Sequence, residues 1–516
     1  MGTSNERFRA TRNISSLEAT RNKLQRELDS KKTLEERRLF GQFSTPNDLA
    51  REIIGYGLQL VEDKDISFLE PAIGTGSFYS ALLAETSVSR NISATGYEID
   101  EQIFFAAQQL WKDENLVLFN EDFTQSTPTE TVNLLVCNPP YVRHHLLKSD
   151  EKRRLCTTVK DETNITLSGL AGLYCHFLLL AHKWLKPDAI CGWLIPSEFM
   201  DVNYGIALKE YLLKHVHLLR VHRYNPSECK FDDALVSSAV VWFKNEMIDG
   251  DYEVEFSFGG THHRPLVQKQ IKKSTLIKES KWTRFPTQEI RNPQNDSQYY
   301  LNNFFDIKRG IATGDNGFFI LNKEQIENFN LDMDYFTPIL PSPRNLKTDR
   351  IEADKNGFPI LSTPLFLLDS RLGEDEIQIE HPTLWAYLQS GLSTTANKHL
   401  CKNRKKWYHQ ERRTPPLFLC SYMGRGKKDS ASPFRFILND SDAIATNSYL
   451  LLYPKDWLED RIKSNPVLKE QIWHLLRGIS GSDLAQEGRI YGGGLRKIEP
   501  KELGKVPCAE LFELLR

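Results

Sequence analysis

The run "VNLLVCNPPYVRHH" at residues 132–145 ends an apolar stretch abruptly in Asn138-Pro139-Pro140-Tyr141. Prolines fix φ and remove backbone donors, so this loop offers acceptors: the Asn138 amide oxygen and the Pro139 carbonyl. Two fixed acceptors suit a planar group with two N–H bonds, such as the exocyclic amine of adenine. That amine is a poor nucleophile, because its lone pair is delocalised into the ring. Holding both hydrogens favours a tetrahedral nitrogen and stabilises the positive charge that develops during attack on a sulfonium methyl group. Preorganised partners of this kind are worth on the order of 10²–10³ in rate each. Tyr141 is suited to stack on the base, a contact worth roughly 1–3 kcal/mol.

A second constellation lies upstream, in "FLEPAIGTGSF" at residues 68–78. A strand ends in Glu70-Pro71, and a loop through Ala72, Ile73, Gly74 and Gly76 leads into a helix. Glycines let a ligand approach the backbone near the positive end of the helix dipole. The spacing lacks the third glycine of a dinucleotide fingerprint and the Gly-Lys-Ser/Thr of a P-loop. The next strand ends in Glu98 ("GYEID"), where a carboxylate can accept from both hydroxyls of a ribose. The strand after that leads to "NEDF", in which Asp122 can accept from an adenine amino group and Phe123 can stack. Three successive strand ends therefore describe a pocket for an adenosine-bearing cofactor without phosphates.

These residues need a scaffold, and the hydrophobic pattern supplies one. Strands are expected at 66–71, 94–100, 116–120, 132–137 and 189–196, with helices at 77–86, 101–112, 172–186 and 205–214. This is a doubly wound parallel α/β pattern. "LLRVHRY" and "ALVSSAVVWFK" suggest a final hairpin closing the sheet near residue 243. In such a sheet the Asn138 loop lies beside the first strand, across the switch point where α/β ligands bind. Residues 15–39 are charged and free of Gly and Pro, which predicts a solvated helix. The expected organisation is an N-terminal helical arm at 1–40, a catalytic domain at 41–245, a connecting region at 246–300 and a second, mixed domain at 301–516.

At 516 residues, two large domains or three smaller ones are expected. The net charge of −2 does not announce a nucleic-acid binder. Local charge does: residues 398–428 hold ten Lys or Arg against one acid, interleaved with Trp407, Tyr408, Phe418 and Tyr422. This bias with aromatics inside it supports phosphate contact through Lys402, Arg404, Lys405, Lys406, Trp407, Arg412, Arg413, Arg425, Lys427 and Lys428. "VRHHLLKSDEKRR" at 142–154 is a further candidate to lie over a nucleic acid. The eight cysteines include no C-x-x-C pair and read as reduced core thiols, with no metal site expected. The opening residues lack the apolar core of a signal peptide and no stretch reads as a membrane span, so a cytoplasmic location is expected.

"FSTP", "FLEPAIGTGSF", "GYEID", "NEDF", "NPPY", "GLYCHFLLLAHKWLKPDAICGWLIP" and "FDDALVSSAVVWF", in this order, resemble the motifs of gamma-class N6-adenine DNA methyltransferases, of the Taq and Pst types found in type II restriction–modification systems. The resemblance covers residues 40–245 strongly. It covers the remainder more loosely, through "FFDIKRGIATGDNGFFIL" and "YGGGLRKIEP". It implies a Rossmann-like seven-stranded catalytic domain with a C-terminal mixed α+β target-recognition domain. It also implies S-adenosyl-L-methionine as donor, with Thr45 and the Glu70–Gly76 loop at its methionine end. Glu98 would take the ribose, Asp122 and Phe123 the cofactor's adenine, and Pro140 would line the same pocket. Asn138 and Pro139 would hold the target amine, with Tyr141 and Phe231 on the two faces of the flipped base. Double-stranded DNA is the implied partner of a monomer, alongside a restriction endonuclease that acts on the same site without a stable complex.

Two other enzyme classes use Asn-Pro-Pro-Tyr on this fold, protein glutamine and RNA base methyltransferases, and the motif alone does not exclude them. A non-catalytic DNA-recognition subunit is a third reading. The Thr-Pro motif before the glycine loop and the large second domain favour DNA. No Pro-Asp…Glu-x-Lys constellation points to a nuclease.

Overall fold

The computed structural model describes residues 14–86, 90–225, 237–286, 299–425, 432–491 and 495–516. The chain divides into two compact units, Met1–Ile290 and Arg291–Arg516.

The first unit is built on one sheet. Its strands are β1 (Ile66–Glu70), β2 (Ile92–Tyr97), β3 (Leu116–Phe119), β4 (Val132–Cys137), β5 (Leu185–Pro196), β6 (His217–Arg223), β7 (Ser238–Lys244), β8 (Glu253–Gly260) and β9 (Pro265–Lys272). They are ordered β3-β2-β1-β4-β5-β7-β6-β8-β9. The first five are parallel, and β7 enters antiparallel between β5 and β6. Strand β4 is buried at every position, as a central parallel strand must be. The expected seven strands are thus present and two more extend the edge. Residues 253–272, expected within a connecting region, are β8 and β9. The alternation of Glu253-Val254-Glu255-Phe256 turns Val254 and Phe256 inward, where both are fully buried.

Helices cover the sheet: α1 (Ile14–Ser30), α2 (Leu34–Phe40), α3 (Asn47–Leu60), α4 (Ser77–Glu85), α5 (Glu101–Leu110), α6 (Ser149–Thr163), α7 (Leu173–Leu180) and α8 (Gly205–Lys214). Helix α7 is shorter than its apolar run suggests, because β5 already begins at Leu185. The single solvated helix expected over 15–39 is instead two helices, and α1 is not solvated all round. It buries Glu18 and Arg21 against the glycine loop. Polar pairing there replaces the apolar stripe by which a packed helix is usually recognised.

Helix α3 is pinned to the far edge of the sheet by buried polar groups. Glu52 Oε1 accepts from the His262 backbone N–H at 2.7 Å, lies 3.0 Å from His262 Nδ1, and accepts from the Tyr224 hydroxyl at 3.3 Å. The His222 ring sits 4.5 Å from that of His262, with Nδ1 2.9 Å from Ser257 Oγ. Burial, aided by Arg220 and His263, holds His262 well below the ordinary histidine range. The native state therefore keeps His262 neutral, while the unfolded chain takes up a proton below about pH 6.5. Its stabilising contribution is present above that pH and is lost as pH falls. The stability advantage of wild type over His262→Gln should shrink by about 1.4 kcal/mol per pH unit below 6.5. Urea midpoints at pH 7 and pH 5 measure it, and a constant difference between the two proteins would contradict it.

The second unit is mixed α and β. One sheet is ordered β10-β19-β15-β17-β13, a second β11-β14-β12-β18 and a third β16-β21-β20. These strands are β10 (Phe305–Arg309), β11 (Ile320–Asn322), β12 (Phe336–Leu340), β13 (Arg350–Ile351), β14 (Leu365–Leu368), β15 (Phe418–Ser421), β16 (Met423–Arg425), β17 (Phe436–Asn439), β18 (Ile444–Ala445), β19 (Tyr449–Pro454), β20 (Arg489–Tyr491) and β21 (Leu495–Lys497). The helices at Asp456–Ser464 and Pro466–Gly478 pack Leu458, Ile472 and Leu476 with Phe418, Leu450 and Leu452 of the five-stranded sheet. Among the described residues, no helix is long and apolar enough to cross a membrane.

Candidate active site

Strands β1 and β4 are neighbours, so the loops that leave their C-terminal ends open side by side at the switch point. After β1, Pro71 and Ile73 are buried and Ala72 is half-buried. The Ile73 N–H donates to the Tyr97 carbonyl at 2.9 Å, which ties the loop to the end of β2. Gly74 follows with φ +57°, a left-handed conformation that side chains rarely adopt. A Cβ at Gly74 would point into open space, with nothing within 4 Å. Gly76 then precedes α4 and aims that helix's unpaired N–H groups back at the loop.

Glu98 closes the opposite side. Its Oε2 accepts from the Gly74 N–H at 3.0 Å and its Oε1 from the Asp100 N–H at 2.8 Å. Each oxygen keeps a further lone pair for a hydroxyl. Burial raises this carboxyl to about 7, against the pull of the Asp100 and Gly74 amides. Glu70 lies deeper. Burial pushes it well above the usual carboxylate range, opposed by Arg21 and the Tyr79 amide and reinforced by Glu98. Its Oε2 is fully buried with no hydrogen-bond partner. An unpartnered buried carboxyl oxygen is an exception among buried polar groups, and this one lies at the end of β1 where the glycine loop begins.

At the end of β3 the carboxylate expected to take an adenine amino group is already engaged within the chain. Both oxygens of Asp122 are occupied: Oδ1 accepts from Thr124 N–H (2.9 Å) and Thr124 Oγ1 (2.7 Å), and Oδ2 from Gln125 Nε2 (2.7 Å) and Arg154 (3.3 Å). Phe123 is 2% exposed and packs its ring 4.4 Å from Trp184, within a cluster that includes Tyr97 and Phe177. It is a core residue before it is a cofactor contact, since its ring is spent on other aromatics.

The Asn138 loop carries the most informative geometry. Asn138 Nδ2 donates to the Phe43 carbonyl and to Thr45 Oγ1, both at 3.1 Å. Both amide hydrogens are thereby spent, which fixes the flip of the side chain. Asn138 Oδ1 and the Pro139 carbonyl accept no hydrogen bond among the described residues. Thr45, assigned by resemblance to the donor's methionine end, thus orients the Asn138 amide. Tyr141 donates through its hydroxyl to the Leu194 carbonyl of β5 at 2.9 Å, and its ring centroid lies 6.4 Å from that of Phe43. Pro140 is half-buried beside it. Phe231 lies outside the described residues.

The basic segment is partly dismantled by the fold. Phe418 belongs to β15, a central strand, and Tyr422 directly follows it; both are buried, as is Tyr408. Their rings build cores and do not face bases. Arg404 donates to the Ala312 carbonyl at 2.7 Å and stands 5.9 Å over the Phe319 ring, a structural position. Arg413 pairs with Glu411 at 2.6 Å. Trp407 is half-buried, 5.5 Å from Phe318. Lys402, Lys405 and Arg412 are exposed, and Lys406 is half-exposed. Arg425 falls in β16, whereas Lys427 and Lys428 lie outside the described residues. In the segment 142–154, Arg143, His145 and Lys148 are exposed, while Arg154 turns back to Asp122 and Thr124.

The motifs do not point to the partners supplied by α1 and the segment after it: Glu18, Arg21, Gln25, Lys32, Gln42 and the Phe43 carbonyl. A signal does exist, since Glu18, Arg21, Asn22 and Gln25 repeat at i, i+3, i+4 and i+7, a polar stripe on one helical face.

The sequence profile described as Eco57I restriction-modification methylase matches residues 16–229, and that described as Type II methyltransferase M.Eco57I, C-terminal domain, matches residues 284–515. Type II methyltransferase M.AccI of Acinetobacter calcoaceticus is 27% identical over 512 residues, 95% of this chain and 89% of the relative. Type II methyltransferase M.XamI of Xanthomonas campestris pv. amaranthicola is 26% identical over 488 residues, 92% and 86% of the two chains. Among solved structures, the Type IIL restriction-modification enzyme MmeI in complex with DNA shares the fold, with a TM-score of 0.50 at 12% identity over 86% of this chain and 60% of that one. The two profiles match separate parts of the chain and the relatives align nearly end to end, which supports a type II restriction–modification DNA methyltransferase.

Proposed function

We propose that this protein transfers a methyl group from S-adenosylmethionine to the exocyclic N6 amine of an adenine flipped out of duplex DNA. The observation that carries the reading is the Asn138 side chain, locked by Phe43 and Thr45 so that Oδ1 and the Pro139 carbonyl are left as acceptors. Those two oxygens take the two amine hydrogens. Pairing with both draws the nitrogen lone pair out of conjugation and favours the cationic nitrogen of the transition state. Tyr141, anchored through Leu194, supplies an aromatic face for the extruded base, which offsets the few kcal/mol of unstacking and unpairing.

The donor pocket fits the cofactor by its chemistry. The unpartnered Glu70 oxygen suits the methionine ammonium, the open side of Gly74 gives close access to the backbone, and Glu98 accepts from the ribose hydroxyls. When bound, S-adenosylmethionine supplies an electrophilic sulfonium methyl group. The chain's residues orient the donor, exclude water and hold the amine in line. On the same reading the enzyme acts as a monomer, marking host DNA against a separate restriction endonuclease of the same specificity.

Phosphate contact in the second unit falls to Lys402, Lys405, Lys406 and Arg412. Replacing all four with alanine should weaken DNA binding uniformly across sequences. It should also flatten the plot of log affinity against log salt by about 0.9 for each phosphate no longer neutralised. An unaltered slope would remove the segment from the interface.

Incubation with methyl-labelled donor and duplex DNA, ribosomal RNA or release factor tests the reaction. N6-methyladenine in the duplex is the expected product. Label confined to RNA or to protein glutamine would overturn the reading, as would tight DNA binding without any transfer.

A further inference from the structure

We propose that helix α1 is a working part of the donor site, with Arg21 the positioning residue that sets the glycine loop for the donor's methionine end. The inference rests on the donor-site reading given above.

Arg21 is 1% exposed, and a buried guanidinium is tolerated only when its donors are met. Here its Nε and Nη2 fork onto the two oxygens of Glu18 at 2.8 and 2.7 Å, while Nη1 donates to Thr75 Oγ1 at 3.0 Å. Thr75 Oγ1 in turn donates to Gln25 Oε1 at 2.8 Å. Glu18 Oε2 accepts from Ser80 Oγ, in the first turn of α4, at 2.6 Å. The two sides of Gly76 are thereby clasped by one face of α1. A helix that merely covered the sheet would need apolar contact at these positions and not a charged fork.

The following residues reach the other walls of the site. Lys32 pairs with Asp100, and Gln42 Nε2 donates to Asp100 Oδ2 at 3.1 Å. The Asp100 N–H is the donor that holds Glu98. Gly41, at φ +65°, packs so closely on the Asn138 loop that a Cβ there would collide with the Tyr141 backbone nitrogen. Phe43 and Thr45 then fix Asn138. Residues 18–45 thus touch the methionine end, the ribose carboxylate and the target-amine loop in succession.

Arg21 has an electrostatic consequence as well. Glu70 faces Arg21 from α1, the Tyr79 N–H from α4, Glu98 just after β2 and Cys137 from β4. Arg21 is the cation in that set and favours the ionised carboxylate that an ammonium group requires.

Arg21→Met should raise KM and Kd for S-adenosylmethionine at least tenfold. The kcat at saturating donor should stay within about threefold of wild type and DNA affinity within about twofold. Arg21→Lys should recover part of the donor affinity, since it restores the charge without the fork. Gln25→Leu, which removes the other α1 partner of Thr75, should raise donor Kd about threefold and decides the matter if Arg21→Met does not fold. Donor affinity unchanged in the folded variants, or kcat and DNA affinity falling in parallel with it, would overturn the proposal. Wild-type protein that binds no donor would overturn the donor-site reading itself.

Discussion

Asn138→Ala is expected to lower kcat by on the order of 10²–10³ while donor affinity stays within about twofold. The asymmetry follows from geometry. The Asn138 amide NH₂ is spent on Phe43 and Thr45, its oxygen is the proposed acceptor for the target amine, and it forms no bond to Glu70, Gly74 or Glu98. Alanine removes an acceptor that is needed most when the amine nitrogen turns tetrahedral, so the loss falls on the chemical step. Asn138→Asp keeps an acceptor but forfeits the donors that Phe43 and Thr45 require, and should recover little. Thr45→Val removes one of the two restraints and should cost less, about tenfold in kcat, because the Phe43 carbonyl still holds the amide. Single-turnover methylation at saturating donor and DNA measures these effects. An Asn138→Ala rate within about threefold of wild type would contradict the mechanism.

The second large effect concerns Glu98 and pH. Burial pushes its carboxyl up to about 7, and in the proposed donor site it is the ionised form that would accept from the ribose hydroxyls. A group whose pKa is raised in this way binds its proton as pH falls through 7, so donor affinity should weaken by up to about tenfold per pH unit below 7. Above pH 8 it should level off. Glu98→Gln should lose on the order of 10²-fold in affinity, because an amide NH₂ would face the Gly74 or Asp100 N–H and leave a donor unpaired. Its pH dependence should also be shallower. Glu70 is pushed up by burial and titrates in the same sense, so the comparison of wild type with Glu98→Gln isolates Glu98. Calorimetric titration with donor at pH 6, 7 and 8 reads this directly, and equal wild-type affinity at pH 6 and pH 8 would contradict it.

The residues behind both effects are legible in the amino-acid order. Asn138, Glu98 and Gly74 stand out because each sits where an apolar run stops, and a polar or flexible residue there has few purely structural explanations. The basic segment is less legible. Tyr408, Phe418 and Tyr422, interleaved with charge, read as part of a phosphate-contact segment, yet all three are buried, Phe418 in strand β15. Phe123 shows the same ambiguity, since an aromatic at a strand end serves a core as readily as a cofactor. Strands β8 and β9 escape the hydrophobic pattern because edge strands carry polar outward faces and read as linkers.

What the amino-acid order determined by itself was the alternation of strands and helices and the identity of the residues at the strand ends, because hydrophobic period and backbone-restricting residues act over a few neighbours. What the tertiary structure decided was how those residues are held: the Asn138 amide by Thr45, 93 residues away, and the glycine loop by Arg21, 54 residues away. Hydrogen bonds across such separations depend on where the sheet delivers each loop. No local pattern encodes that, and a charged stripe on α1 looks the same whether it meets water or a buried threonine.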